Sequence, residues 1–219
     1  MNKIFKTFFL LPVIIFSLSL KANCVKWQDD LIADQRQQTV GNAFPTFKYK
    51  SWANHEVGGT LEEKSTADIK GAATFVVVPG AFTPTCTNKH INEFVEAYNN
   101  ENDRVILSYD NKEDFLRDQQ ARTPTFIVAK DTPDVIAAWA KKMGSQSKLL
   151  NFISDPSYEL MEQLGVLESN PRLGLIGKRS VFYVKNGKIL DFHVEKNNAE
   201  TCVTSLQKVK EFWNAFLRK

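Results

Sequence analysis

Thr74-Phe-Val-Val-Val78, running into Pro79-Gly80-Ala-Phe-Thr83-Pro-Thr-Cys86, is the stretch on which the reading of this chain turns. Its first half is an unbroken apolar, β-branched run, as expected of a central strand covered on both faces. Pro79-Gly80 stops the strand, and a helix is expected next, with Thr85 as its N-cap and Phe94, Val95 and Tyr98 at helical spacing. Cys86 then falls in the first helical turn. Unpaired backbone N–H groups and the positive end of the helix dipole favour thiolate over thiol there, and the thiolate is the nucleophile. Thr83, one turn upstream, offers a hydroxyl to a bound oxygen, and Pro79 can shield the sulfur without adding a donor. The bland alternative is a small buried cysteine beside an ordinary turn threonine.

Outward from this stretch the punctuation is that of short alternating strands and helices, which predicts one α/β domain over 40–219. Residues 125–129 read as a strand, and Thr132-Pro133 as the start of a helix ending near Gly144. A strand at 149–153 and a helix over 156–164, stopped by Gly165, follow. Strands at 180–184 and 188–194 flank Asn186-Gly187, a hairpin signal because both turn positions need positive φ. An amphipathic helix over 204–217 closes the chain. Residues 99–122 are harder to read: 105–107 fit a strand and 112–120 a helix, neither firmly.

The 219 residues, 43% hydrophobic and 24% charged, suffice for one core without disulfide staples. Residues 1–22 have the form of a secretory signal peptide: a basic start, an apolar run over 7–20 and a short polar exit, with cleavage expected after Ala22. The apolar run falls short of the roughly 20 residues a membrane-spanning helix needs, so an anchor is the weaker reading. Residues 20–23 make a poor lipidation signal ahead of Cys24. The expected location is therefore outside the cytoplasm, periplasmic in a bacterium. A polar segment over 23–39 would lead into the domain.

With Lys3, Lys6 and Lys21 removed in the leader, the 28 basic residues fall to 25, equal to the 25 acidic ones. A neutral chain without a basic run gives no electrostatic case for nucleic acid. His55, His90 and His193 lack metal-site spacing, so no metal is expected, and no phosphate loop points to a nucleotide cofactor. His90 lies one turn after Cys86 and could face the site or simply pack. The three cysteines, Cys24, Cys86 and Cys202, would meet an oxidising compartment after export.

Val78-Pro-Gly-Ala-Phe-Thr-Pro-Thr-Cys-Thr-Asn-Lys-His90 resembles the active-site segment of peroxiredoxins, in particular the atypical two-cysteine branch that includes peroxiredoxin-5 and the plant type II enzymes. The resemblance extends from Val40 to Val194. It implies a thioredoxin-like fold with a mixed sheet flanked by helices. It also implies a thiol peroxidase for hydrogen peroxide and organic hydroperoxides, with Cys86 passing through a sulfenic acid. Lys178-Arg179-Ser-Val-Phe-Tyr-Val-Lys-Asn-Gly187 matches the family segment that carries an active-site arginine, which selects Arg179, with Arg172 as a fallback. Cys202 lies close to where some members place a resolving cysteine, so the resemblance implies an intramolecular Cys86–Cys202 disulfide, or else an external thiol that reduces the sulfenic acid. Thioredoxin, glutaredoxin and glutathione are the reductants such a family implies, and a homodimer the implied assembly.

The chain departs from the family at Ser180, where an aromatic is usual, at Asn92-Glu93-Phe94, where Pro-Gly precedes the phenylalanine, and over 99–122, which reads as an insertion. Two other classes remain. A thiol-disulfide oxidoreductase would need Cys-x-x-Cys, and Lys89 stands where the second cysteine would be. A non-catalytic binding protein or holdase would be expected to lack Thr83, Cys86 or Arg179, and all are present.

Overall fold

A computed structural model describes residues 40–100 and 123–217. The expected leader, the 23–39 segment with Cys24, and nearly all of the 99–122 stretch lie outside the described residues.

Strands β1 (Lys48–Trp52) and β2 (Leu61–Ser65) pair as a separate antiparallel ribbon. β3 (Ala72–Val77) lies at the centre of a five-stranded sheet. It is joined on one side by β4 (Thr125–Ala129) and then β5 (Leu150–Ser154), all parallel. β6 (Leu167–Asn170) and β7 (Gly174–Gly177) form a second small ribbon. β8 (Ser180–Lys185) runs antiparallel on the other side of β3, and β9 (Lys188–Val194) completes the order β5-β4-β3-β8-β9. The turn between β8 and β9 has φ of 50° at Asn186 and 73° at Gly187, as its sequence requires.

The apolar runs are explained by cover on both faces of the sheet. Val76, Val78, Ile127, Ala129, Val181 and Tyr183 face one core, shared with helices α1 (Ile91–Asn99), α2 (Pro133–Lys142) and, later in the chain, the closing helix Leu206–Leu217. The alternate residues, Phe75, Val77, Phe126, Val128 and Phe182, face a second core with Phe44, Phe47, Tyr49 and the short helix α3 (Glu159–Gln163). The closing helix is α4; its Trp213 is buried and donates from Nε1 to Thr74 Oγ1 at 2.8 Å, tying the end of the chain to β3. This is the expected mixed sheet with helices on both sides.

Two expectations shift. The first helix begins at Pro84, and Thr85 is already helical at φ −66°, ψ −41° with no side-chain cap bond, so Thr85 is not its N-cap. Proline presets the φ of a first helical residue, which starts the helix ahead of Thr85. The helix expected over 156–164 is confined to Glu159–Gln163 because Tyr158 sits in the left-handed region at φ 62°. The β6–β7 ribbon lies between the expected elements, in a stretch to which the sequence reading assigns none.

Gly177 is held by packing rather than by its backbone. A Cβ there would lie 2.7 Å from Val77 Cγ1 and 2.9 Å from Met161 Sδ. Gly177→Ala should lower stability by about 1–3 kcal/mol, read as a lower urea midpoint with an unchanged slope. A wild-type midpoint would show that β7 can move off β3 without cost.

Candidate active site

The loop after β3 is closed by two hydrogen bonds, one to the residue pair that follows β4 and one within the loop. Ala81 N–H donates to Asp131 Oδ2 at 2.6 Å, and Thr83 Oγ1 donates to the Gly80 carbonyl at 3.0 Å. Pro79 and Gly80 are buried, and Phe82 takes the left-handed conformation at φ 57°. The chain then enters the helix, with Thr87 N–H donating to the Thr83 carbonyl at 2.9 Å. Cys86–His90 is a π turn, closed by the Ile91 N–H to the Cys86 carbonyl. Such turns recur at functional sites, since one additional residue per turn re-aims side chains. Trp139, buried on α2, donates from Nε1 to Thr87 Oγ1 at 3.0 Å and so fixes the turn against the sheet. Cys86 itself is a free thiol with no exposed surface.

Arg179, immediately before β8, faces it and is 1% exposed. Its Nη2 donates to Cys86 Sγ at 3.4 Å and to the Asn198 carbonyl at 2.8 Å; its Nε also reaches that carbonyl at 3.3 Å. Nη1 donates to His90 Nδ1 at 2.7 Å. These contacts leave one guanidinium N–H for an oxygen brought to the sulfur. A positive, multiply donating group in this dry setting stabilises both the thiolate and a departing oxygen.

His90 is fully buried, with Nε2 2.8 Å from the Thr204 carbonyl. Nε2 must therefore carry the proton, and Nδ1 is the acceptor for Arg179. Burial, and then the Arg179 charge, push its pKa down to about 3. Glu195 Oε1 holds the Thr204 region, accepting from Val203 N–H, Thr204 N–H and Thr204 Oγ1 at 2.7, 2.9 and 2.9 Å. Burial raises the Glu195 carboxyl above its usual range.

The neutral histidine has a measurable consequence. Its folded pKa of about 3 lies below the ordinary 6.5, so the unfolded chain binds the additional proton between those values. The contribution is complete above pH 6.5 and is lost as pH falls toward 3, about 2 kcal/mol by pH 5. Urea denaturation at pH 7 and pH 5 should show this loss in the wild type and not in His90→Gln. Equal losses in both would assign the acid sensitivity to other groups.

Of the residues expected at the site, Cys86 and Arg179 are brought into contact, Thr83 stands just ahead of the helix that carries Cys86, and Pro79 lies buried just after β3. Thr83 commits its proton to Gly80, which leaves its oxygen as an acceptor. Arg172, the fallback, is exposed in the β6–β7 turn, where its N–H donates to Asn170 Oδ1, so it is no part of the site. Cys202 is in a disulfide while Cys86 is free, so the expected Cys86–Cys202 bridge is absent from this state. Glu195, Glu200 and Cys202 place donor atoms within 4.8 Å of one another, but that sulfur is already bonded. Asn198, Thr204 and Glu195 were not foreseen. The last two have backbone partners, and Asn198 meets the guanidinium through its carbonyl, which side-chain identity does not encode.

The redoxin family profile matches residues 39–210. Peroxiredoxin-A of Candida boidinii is 31% identical over 177 residues, covering 77% of this chain and 94% of that one. The rice chloroplastic peroxiredoxin-2E-2 is 27% identical, covering 78% and 71%. Among solved structures, reduced Prx3 of Vibrio vulnificus in complex with hydrogen peroxide aligns with a TM-score of 0.64 at 16% identity, covering 83% of this chain and 99% of that one. These findings put the chain in the redoxin family with a thioredoxin-like fold. Within it, the chain belongs to the peroxiredoxins, and its activity is that of a thiol-dependent peroxidase.

Proposed function

We propose that this enzyme reduces hydrogen peroxide and organic hydroperoxides at Cys86, with Arg179, Thr83 and Pro79 completing the pocket. The observation that carries this is the buried Arg179 Nη2 donating to Cys86 Sγ at 3.4 Å. The Cys86 thiolate attacks one peroxide oxygen, forming S–O as O–O breaks. The departing oxygen takes the bond's electron pair and a proton and leaves as water or alcohol. Sulfur is oxidised to the sulfenic acid and the peroxide is reduced. In this reading the remaining guanidinium N–H serves the peroxide as donor and the Thr83 oxygen as acceptor.

With Cys202 held in a disulfide, the sulfenic acid is reduced by an external thiol of the thioredoxin, glutaredoxin or glutathione type. The thiol sulfur forms a mixed disulfide with Cys86 and releases water, and a second thiol frees Cys86. Resolution by Cys202 is the second reading, open to the protein only once that sulfur is a thiol. Export behind the 1–22 leader fits a disulfide at Cys202, because such bonds persist in oxidising compartments. A homodimer is the proposed assembly.

Mass analysis of mature protein after one equivalent of hydrogen peroxide, beside Cys86→Ser and Cys202→Ser, tests this. Sulfenic acid trapped at Cys86, with the Cys202 disulfide untouched, is the expected result. A Cys86–Cys202 bond would establish the second reading, and no selective oxidation of Cys86 would sink both. The same spectra give the mature N-terminus, expected at Asn23.

A further inference from the structure

The segment after β9 reaches back over the active-site arginine, and Asn198 is its point of attachment. Asn198 Oδ1 accepts the Arg179 backbone N–H at 2.8 Å, and its Nδ2 donates to Glu168 Oε1 on β6 at 3.3 Å. With the side chain pinned at both ends, its own carbonyl is turned onto the guanidinium, accepting from Nη2 and Nε. The same Nη2 donates to Cys86 Sγ. A guanidinium is planar and rigid, so the atom that fixes its Nε edge also fixes where its remaining N–H groups point.

We propose that Asn198 is a positioning residue for the peroxide reaction, acting through Arg179, with Glu168 as the clamp that holds it. The inference rests on the thiol-peroxidase chemistry at Cys86. His90 supports the arginine from the Nη1 side, and Asn198 from the Nε side. Between them the fork cannot rotate away from the sulfur. A loss of Asn198 should therefore slow the oxidation of Cys86 and leave alone the later reduction of the sulfenic acid, for which the attacking thiol brings its own nucleophile.

The test uses the purified full chain in single-turnover mixing with hydrogen peroxide, and separately measures reduction of preformed sulfenic acid by a small monothiol. Asn198→Ala should slow the peroxide step about tenfold with the monothiol step unchanged, and should add nothing in an Arg179→Gln background. The exchange N198D together with E168Q reverses the donor and acceptor of the clamp, and should return the peroxide step to within about twofold of wild type. Should Asn198→Ala fail to fold, Glu168→Ala is the second probe, expected to slow the same step about threefold. An unchanged peroxide step in these variants, a loss that adds to that of Arg179→Gln, or equal slowing of both steps would overturn the assignment. Absence of turnover in the wild type would instead reject the peroxidase chemistry itself.

Discussion

Cys86→Ser is expected to abolish peroxide consumption while leaving a folded protein. A serine hydroxyl at neutral pH is a far weaker nucleophile toward an O–O bond than a thiolate, and no other described cysteine is free to substitute. The loss should be on the order of 10⁴-fold or more. Folding should survive because the new hydroxyl can accept from Arg179 Nη2, limiting the cost of a buried polar group to about 1–2 kcal/mol. Peroxide disappearance and the urea midpoint, measured on the same preparation, check both statements. Turnover above about 1% of wild type would place the nucleophile elsewhere.

Arg179→Lys and Arg179→Gln should each slow oxidation of Cys86 by about 100- to 1000-fold. Lysine keeps the charge and loses the planar fork, so it cannot serve His90 Nδ1, the Asn198 carbonyl and the sulfur together. Glutamine loses the charge as well. Were charge alone the contribution, lysine would retain most of the rate, and that result would reject the geometric account.

The half of the site that lay open in the sequence is the half built from side-chain identity. Pro79, Thr83 and Cys86 stand at fixed spacing after an apolar strand, and the resemblance of 178–187 to a peroxiredoxin segment, counted back from the Asn186-Gly187 turn, selects Arg179. His90 was ambiguous because its aim depends on the π turn, and i→i+5 bonding has no signature in residue type. Asn198 and Thr204 were hidden because they meet the site through carbonyls. Cys202 reads as the partner of Cys86, but spacing along a chain cannot say which sulfur another will meet. In the fold, the central strands were legible from buried runs. The β1–β2 ribbon was not, since its residues are largely polar and half-exposed, giving no alternation to read.

The burial of Cys86 within its π turn sets a time scale. Hydrogen peroxide is small enough to enter a closed pocket, but the sulfur of a reducing protein must approach along the S–O axis, and no surface of Cys86 is open to it. Reduction by such a protein therefore needs a local opening of the helix start, in which the i→i+5 bond, the Thr87–Trp139 contact and the Arg179 contact to the sulfur give way together. The lifetime of the sulfenic acid is then governed by how often this turn opens. A second peroxide competes during that interval to produce the irreversible sulfinic acid. Inactivation by excess oxidant is in this way a property of helix fraying, tunable by substitutions at Thr87 that never touch the reacting sulfur.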